Sequence, residues 1–162
     1  MNRFDTNSKA AAAEKRGGLT LIIGGAYQGK LTHAVHMLGF DEQSVFDLAA
    51  LSDCSTAALR SAVCRSNAAY THFETLTRKI AAECGNLPAA VELIEADFLE
   101  PLSVLSEKMP IALISREIGC GIVPLSEGDR LWREVHGAAL ARAAARADSV
   151  TRIFCGLPER LK

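Results

Sequence analysis

The chain has 162 residues, a formal net charge of −1 and 49% hydrophobic residues. This length and apolar content fit one domain with its own core, and the near-neutral charge gives no electrostatic reason to expect nucleic acid or an anionic membrane as the main partner. The apolar runs are too short to span a membrane, and residues 1–18 lack the apolar stretch of a secretory signal, so a cytoplasmic protein is expected.

The first predicted strand leads directly into a glycine-rich loop. Residues 1–18 are polar and alanine-rich, which predicts a flexible leader, so the domain is expected to span residues 19–162. Residues 19–30 combine an apolar strand with the spacing Gly-x-x-x-x-Gly-Lys of a phosphate-binding loop. The glycines let backbone N–H groups turn towards a phosphate, and the following helix and the lysine add positive charge. The predicted nucleotide-binding residues are Gly24, Gly25, Ala26, Tyr27, Gln28, Gly29, Lys30 and Leu31.

The loop departs from its usual pattern at Leu31, where a Ser or Thr hydroxyl normally holds Mg²⁺. Thr32 follows, but it points about 100° further around the helix and is a poor replacement. No metal-binding residue is therefore predicted, although Mg²⁺ is the metal ion that such a loop normally uses. The alternative is a tight glycine turn that binds nothing.

The remaining pattern alternates between helix and strand. Helices are predicted over 30–38, from 55, over 73–84, from 88 to a stop or kink at Pro101, and after a Ser126 cap. Strands are predicted over 44–47, near 68–72, over 111–115 and, as the last one, over 149–155. This alternation indicates a single α/β domain resembling P-loop NTPases, with a mostly parallel sheet flanked by helices.

Ligands of such sheets bind beyond the carboxyl ends of the strands, which here are residues 24–30, Asp47, 72–74, Glu117 and Gly156. Asp47 and Glu117 could each orient a Mg²⁺-bound water or a substrate hydroxyl. In the structural alternatives, Asp47 caps a turn and Glu117 pairs with a neighbour such as Arg116. Because only Glu117 adjoins an unusual glycine-proline loop, Lys30 and Glu117 are the predicted catalytic residues, and Asp47 is predicted to be structural.

The other reactive side chains suggest structural roles. The five cysteines are odd in number and lack Cys-x-x-Cys spacing, which predicts reduced, mostly buried thiols with no zinc site and no disulfides: Cys54, Cys64, Cys84, Cys120 and Cys155. His33 and His36 lack a third metal ligand, and His136 is predicted to pack against Trp132. Arg130 and Arg133 are expected on a solvated face or in contact with a phosphate or a neighbouring subunit.

Four C-terminal blocks, together with the loop, resemble a known family. Residues 115–124, 130–133, 144–148 and 155–162 are similar to the bifunctional adenosylcobinamide kinase/adenosylcobinamide-phosphate guanylyltransferase family. The resemblance implies a nucleotide-binding α/β fold, a GTP or ATP site on the loop, a corrinoid substrate and a role in cobalamin biosynthesis. It also implies phosphorylation of adenosylcobinamide, guanylyl transfer to adenosylcobinamide phosphate, and a homotrimer.

Two features depart from that family. Its loop ends Gly-Lys-Ser, whereas this chain has Leu31, and its GMP-accepting histidine lies in a His-rich segment that has no match between Ser44 and Tyr70. His72 is the only histidine in the middle of the chain, and its surroundings do not match. One alternative is therefore a nucleotide- or corrinoid-binding relative that has lost one or both activities. The other is an unrelated small P-loop kinase that shares only the fold.

Overall fold

A computed structural model describes residues 17–39, 41–64 and 68–162; the predicted leader lies almost entirely outside the described residues. Within them the chain forms a six-stranded sheet in the order β2-β3-β4-β1-β5-β6. The strands are β1 Gly18–Gly24, β2 Val45–Asp47, β3 Ala69–Thr71, β4 Pro110–Ile114, β5 Ser149–Phe154 and β6 Leu157–Arg160. All neighbouring pairs are parallel except β5 and β6. The mostly parallel α/β architecture is confirmed.

Helices cover both faces of this sheet. They are α1 Lys30–Leu38, α2 Thr56–Cys64, α3 Phe73–Cys84, α4 Leu87–Ile94, α5 Glu100–Ser106 and α6 Glu127–Arg146. Ala34 of α1 packs on one face with Ile22 and Ile114, whereas α2 to α6 build the larger core on the other face. The predicted cap of α6 is present, because the Ser126 hydroxyl accepts a hydrogen bond from the Asp129 amide. Among the described residues, no helix is long and apolar enough to cross a bilayer.

The helix expected to stop or kink at Pro101 continues through it. A π-helical turn, Glu95–Leu99, joins α4 to α5 directly before the proline. Proline lacks an N–H and crowds the carbonyl four residues earlier, so a wider turn accommodates it. In this turn the buried Asp97 carboxylate accepts hydrogen bonds from Thr56 Oγ1 at 2.6 Å and Arg60 Nε at 2.8 Å. These bonds, the Thr56 bond foremost, lower the pKa of Asp97 and join α2 to the π turn.

The prediction that the strand ending near Cys155 is the last one was wrong. Cys155 and Gly156 both have positive φ and make a tight turn, after which β6 runs back antiparallel to β5. All four residues of β6 are exposed. An exposed edge strand containing a proline lacks the apolar alternation that predicts a strand from sequence, so the pattern missed it.

Candidate functional site

A cavity of about 400 Å³ lies at the carboxyl ends of the adjacent strands β1, β3 and β4. It is lined by the loop residues Ala26, Tyr27, Gln28, Gly29, Lys30, Leu31 and Thr32, and by Thr71, His72, Glu74, Thr75, Ile114, Ser115 and Arg116. This is the place where ligands of open parallel sheets bind. A larger concavity of about 740 Å³ between α3 and α6 contains none of the loop residues, so its size does not indicate the site.

The loop between β1 and α1 requires glycine at two places. At Gly24 a Cβ atom would lie 2.3 Å from the Ile153 carbonyl oxygen, so only glycine allows β1 to pass this close to β5. Gly29, which precedes α1, has φ of 81°, in the left-handed region that favours glycine. The first helical residue after it is Lys30. The local geometry is thus a strand, a tight loop and a helix N-terminus, the context expected of a phosphate-binding loop.

Lys30 folds back over its own loop. Its Nζ donates a hydrogen bond to the Gly25 carbonyl oxygen at 2.6 Å. Burial is the main cause that lowers the pKa of Lys30 below its usual 10.5; the nearby Glu74 carboxylate acts in the opposite direction, and the Arg116 guanidinium lowers it further. A partly desolvated ammonium held by one carbonyl is well placed to exchange that carbonyl for phosphate oxygens.

Glu74, in the first turn of α3, places a buried carboxylate in the cavity wall. Its Oε2 accepts the Arg116 backbone N–H at 3.1 Å, and its Oε1 lies 3.9 Å from Arg116 Nε. Only 3% of Glu74 is exposed. The sequence marked 72–74 as a strand exit but gave Glu74 no role; the available signal was an acidic residue in the first turn of a helix that follows a buried strand.

A buried histidine bonds the backbone of Arg116, one of the residues that line the cavity. His136 of α6 contacts the Arg116 carbonyl oxygen through Nε2 at 3.0 Å and Thr77 Oγ1 through Nδ1 at 3.0 Å. Because a carbonyl can only accept, the proton lies on Nε2. Burial lowers the pKa of His136, so the ring is neutral near pH 7. Its ring lies 5.9 Å from that of Phe73. His136 and Trp132 share Thr77 Oγ1 as a hydrogen-bond partner, and their predicted packing against each other stays a prediction.

Asp47 and His72 meet at the ends of β2 and β3. Asp47 Oδ1 accepts the Ala49 amide at 2.8 Å, which confirms the predicted turn cap, and the same oxygen lies 2.8 Å from His72 Nδ1. His72 lines the cavity and has φ of 58°, a left-handed conformation that is uncommon outside glycine. His72 thus lies in the same cavity as the phosphate loop, a position that could not be predicted from the sequence.

Glu117 lies beside the loop without lining the cavity. Its amide donates to the Gly24 carbonyl oxygen at 3.2 Å, and its Oε2 lies 3.2 Å from both Nε and Nη2 of Arg152 on β5. Glu117 therefore forms an ion pair, as its structural alternative suggested, but with Arg152 and not with Arg116. Arg116 faces Glu74 instead.

The loop that follows Glu117 is held by two arginines of α6. Arg133 donates to the carbonyl oxygens of Gly119, Gly121 and Ile122, and Arg130 donates to those of Pro124 and Leu125. The apolar side chains of this loop point outward, since Ile122, Val123 and Leu125 are exposed. Both arginines thus organise the loop, and a contact with phosphate or with another subunit stays a prediction.

The family model for cobinamide kinase / cobinamide phosphate guanyltransferase matches residues 43–161. The chain belongs to this family. A curated member, the bifunctional adenosylcobalamin biosynthesis protein CobU of Salmonella typhimurium, is 27% identical over 180 residues, which span 89% of this chain and 99% of the relative. The predicted family is confirmed, and it is an enzyme family of kinases and nucleotidyltransferases that use nucleotide substrates.

The match to the cobinamide kinase family begins after the phosphate loop. Residues 43–161 include Glu74, Arg116, Glu117 and His136, whereas residues 24–30 precede the matched segment. The family model therefore does not test the loop, whereas the alignment with the Salmonella relative, which covers 89% of the chain, includes it.

The cavity of this family member does not supply a complete set of Mg²⁺ ligands from the protein. Leu31 has no hydroxyl, and Glu74 already accepts the Arg116 amide. Across the described ranges, no group of three His, Cys, Asp or Glu residues could hold a metal ion. The donor set does not fit a protein-held Mg²⁺, and no chemical step below depends on one.

The cysteines are free, as predicted, but the prediction that most are buried was wrong. Cys54 is buried, Cys84 is half-buried, and Cys64, Cys120 and Cys155 are exposed. Burial raises the pKa of Cys54 to about 11, so this thiol stays protonated. No cysteine lines the cavity.

Proposed function

We propose that the chain transfers a phosphoryl group from GTP or ATP to adenosylcobinamide. The observation that carries the proposal is one cavity, at the carboxyl ends of three adjacent strands, that is lined both by the loop residues 26–32, which include Lys30, and by the buried Glu74. The family name describes this reaction, and the fold presents the loop at the edge where nucleotides bind in such sheets.

The loop amides and Lys30 bind the nucleotide phosphates in this proposal. The ammonium leaves the Gly25 carbonyl and follows the negative charge that develops on the transferred group. Glu74 favours the charged form of Lys30 and counteracts the burial that lowers its pKa. Arg116, half exposed beside Glu74, supplies a second cation at the same wall for phosphate oxygens.

Glu117 remains the second catalytic candidate. The Glu117 amide donates to the Gly24 carbonyl oxygen, so the backbone of Glu117 is in direct contact with the start of the phosphate loop. To accept a proton or to orient a metal-bound water, it has to leave Arg152, which now holds it at 3.2 Å. Glu117 therefore acts only if substrate binding rearranges this ion pair.

Two sequence departures favour a second candidate function, a nucleotide- or corrinoid-binding relative that has lost one or both reactions. Leu31 replaces the hydroxyl of the loop, and the segment between Ser44 and Tyr70 contains no histidine that could accept GMP. Guanylyl transfer is therefore the less supported of the two reactions. Family membership excludes the alternative that the chain is an unrelated small P-loop kinase. A homotrimer stays a proposal by family resemblance, tested by light scattering.

Calorimetric titration with GTP and ATP, with and without Mg²⁺, followed by adenosylcobinamide and a γ-phosphate transfer assay, tests the proposal. Binding with a phosphorylated corrinoid product supports the kinase. Binding without transfer favours the non-catalytic relative, and no nucleotide binding means that the loop is only a turn. As a control, the variant His36→Ala should bind nucleotide and transfer phosphate like the wild type, because His36 is an exposed residue of α1 outside the cavity.

A further inference from the structure

An aspartate and a histidine form an oriented pair at the rim of the cavity. Asp47 and Thr71 are register partners on β2 and β3, so His72, the next residue, leaves β3 beside the end of β2. The Ala49 amide fixes Asp47 Oδ1, and the same oxygen lies 2.8 Å from His72 Nδ1. A carboxylate only accepts, so Nδ1 carries the proton and Nε2 keeps a free lone pair. Among the described residues, Nε2 has no hydrogen-bond partner.

The backbone at His72 points to a purpose beyond folding. Its φ of 58° and ψ of 41° are left-handed, and it precedes α3 without making a side-chain cap. Asn or Gly would adopt this conformation at lower cost, and Ser or Asp would cap the helix better. Strained non-glycine residues cluster at functional sites. The imidazole makes no cap to α3, and its hydrogen bond goes to Asp47 instead.

The chemistry of the cavity leaves His72 as its available base. Lys30 and Arg116 are cationic, and the Glu74 carboxylate is buried against the Arg116 amide. The His72 side chain is 53% exposed, so a substrate can reach it from solvent. Imidazole is the side chain best suited to accept a proton near neutral pH.

We propose that His72 is the general base of phosphoryl transfer and that Asp47 is its positioning residue; this rests on the proposed function. The oxygen of the acceptor hydroxyl forms a bond to the γ-phosphorus. The bond from that phosphorus to the bridging oxygen breaks, and its electron pair leaves with the nucleoside diphosphate. The hydroxyl proton moves to His72 Nε2, while Nδ1–H stays bonded to Asp47. The exposed ring then returns the proton to water.

The variant His72→Asn in the full chain tests this base, because Asn tolerates the left-handed backbone but cannot accept the proton. We expect kcat for transfer to adenosylcobinamide to fall about 100-fold or more, with the Kd for GTP or ATP changed less than about twofold. His72→Gly, which relieves the backbone, should regain activity with added imidazole. His36→Asn, an exposed histidine outside the cavity, is the matched control and should leave both values unchanged.

Asp47→Asn tests the positioning role, since its amide oxygen can still accept from Ala49. We expect kcat to fall about tenfold with little change in Kd. The same amide oxygen can also still accept Nδ1–H of His72, so the variant removes the carboxylate charge and not the hydrogen bond. Proton–nitrogen NMR of His72 should therefore show Nδ1–H in both proteins. A fall in kcat with the tautomer and the Kd for GTP or ATP kept is a split that a merely structural role would not produce. A wild type without transfer refutes the proposed kinase function itself. An active wild type whose His72→Asn variant keeps its kcat within threefold refutes the base alone.

Discussion

Two glycine-rich loops leave the neighbouring strands β1 and β4, and a cation holds each of them in a different way. In the loop after β1, Lys30 bonds one carbonyl of its own loop and faces a cavity with a buried carboxylate. In the loop after β4, Arg130 and Arg133 of the helix that follows the loop bond five of its carbonyls, and the apolar side chains of the loop are left in solvent. A cation with one replaceable bond can serve a ligand, whereas a cation with several carbonyl bonds serves the loop.

The largest expected effect that separates the two loops is on nucleotide affinity. Lys30→Ala removes a charge-assisted contact to phosphate, so the Kd for GTP or ATP should rise on the order of 10- to 100-fold by calorimetry. Arg133→Ala is the control, because its cation holds carbonyls in the other loop. Equal losses in both variants would contradict the division of roles, and an unchanged Kd in Lys30→Ala would remove the phosphate site.

The next effect concerns the carboxylates that follow β3 and β4. If Glu117 is catalytic, Glu117→Gln removes turnover and leaves nucleotide binding largely intact. Glu74→Gln keeps an acceptor for the Arg116 amide but loses the charge, which should lower the free energy of unfolding by about 1 kcal/mol and weaken nucleotide binding. Transfer kinetics and urea unfolding on both variants measure this. Turnover equal to the wild type in Glu117→Gln would take Glu117 out of the mechanism.

A pH effect is expected from the histidine behind the cavity. Because burial lowers the pKa of His136 in the folded chain, only the unfolded chain binds a proton as the pH falls below about 6.5. The free energy of unfolding should therefore fall from pH 6.5 towards 5, a window that urea unfolding can follow. His136→Asn should flatten this slope. An equally steep slope in that variant would assign the dependence to another group.

A smaller pH effect is expected at the loop itself. The pKa of Lys30 lies below 10.5, so its charge is lost at a lower pH than that of an exposed lysine, and nucleotide affinity should fall as the pH rises through that lowered value. Lys30→Arg keeps its charge throughout this range and is the control. Calorimetry between pH 7 and about 10 compares them. Parallel curves for the two proteins would contradict the expected role of the ammonium charge.

The smallest effect is expected in the second loop. Arg133→Ala removes contacts on an exposed surface, so the free energy of unfolding should change by less than about 1 kcal/mol. Hydrogen exchange should nevertheless speed up over residues 119–123 and stay unchanged at residues 24–30. Faster exchange in both loops would show that they are not independent.

The sequence predicted best what depends on neighbours along the chain. The helices over 30–38 and 73–84 and the loop before α1 follow from glycines, caps and local apolar spacing, and the structure has them at those bounds. The site depends on strand order, which local spacing does not define. Thus the structural alternative for Glu117 named its neighbour Arg116 as the partner, whereas β5 brings Arg152 to Glu117, and α3, which follows β3, brings Glu74 to Arg116.

The most direct test of the central claim is an NMR titration of the protein with GTP, with backbone amides assigned. The amides of residues 25–31 and the amide of Arg116 should shift together, while those of residues 119–123 and of Leu125 stay in place. Shifts confined to residues 119–125, or no shift in the loop after β1, would contradict the account that this loop holds the nucleotide phosphates.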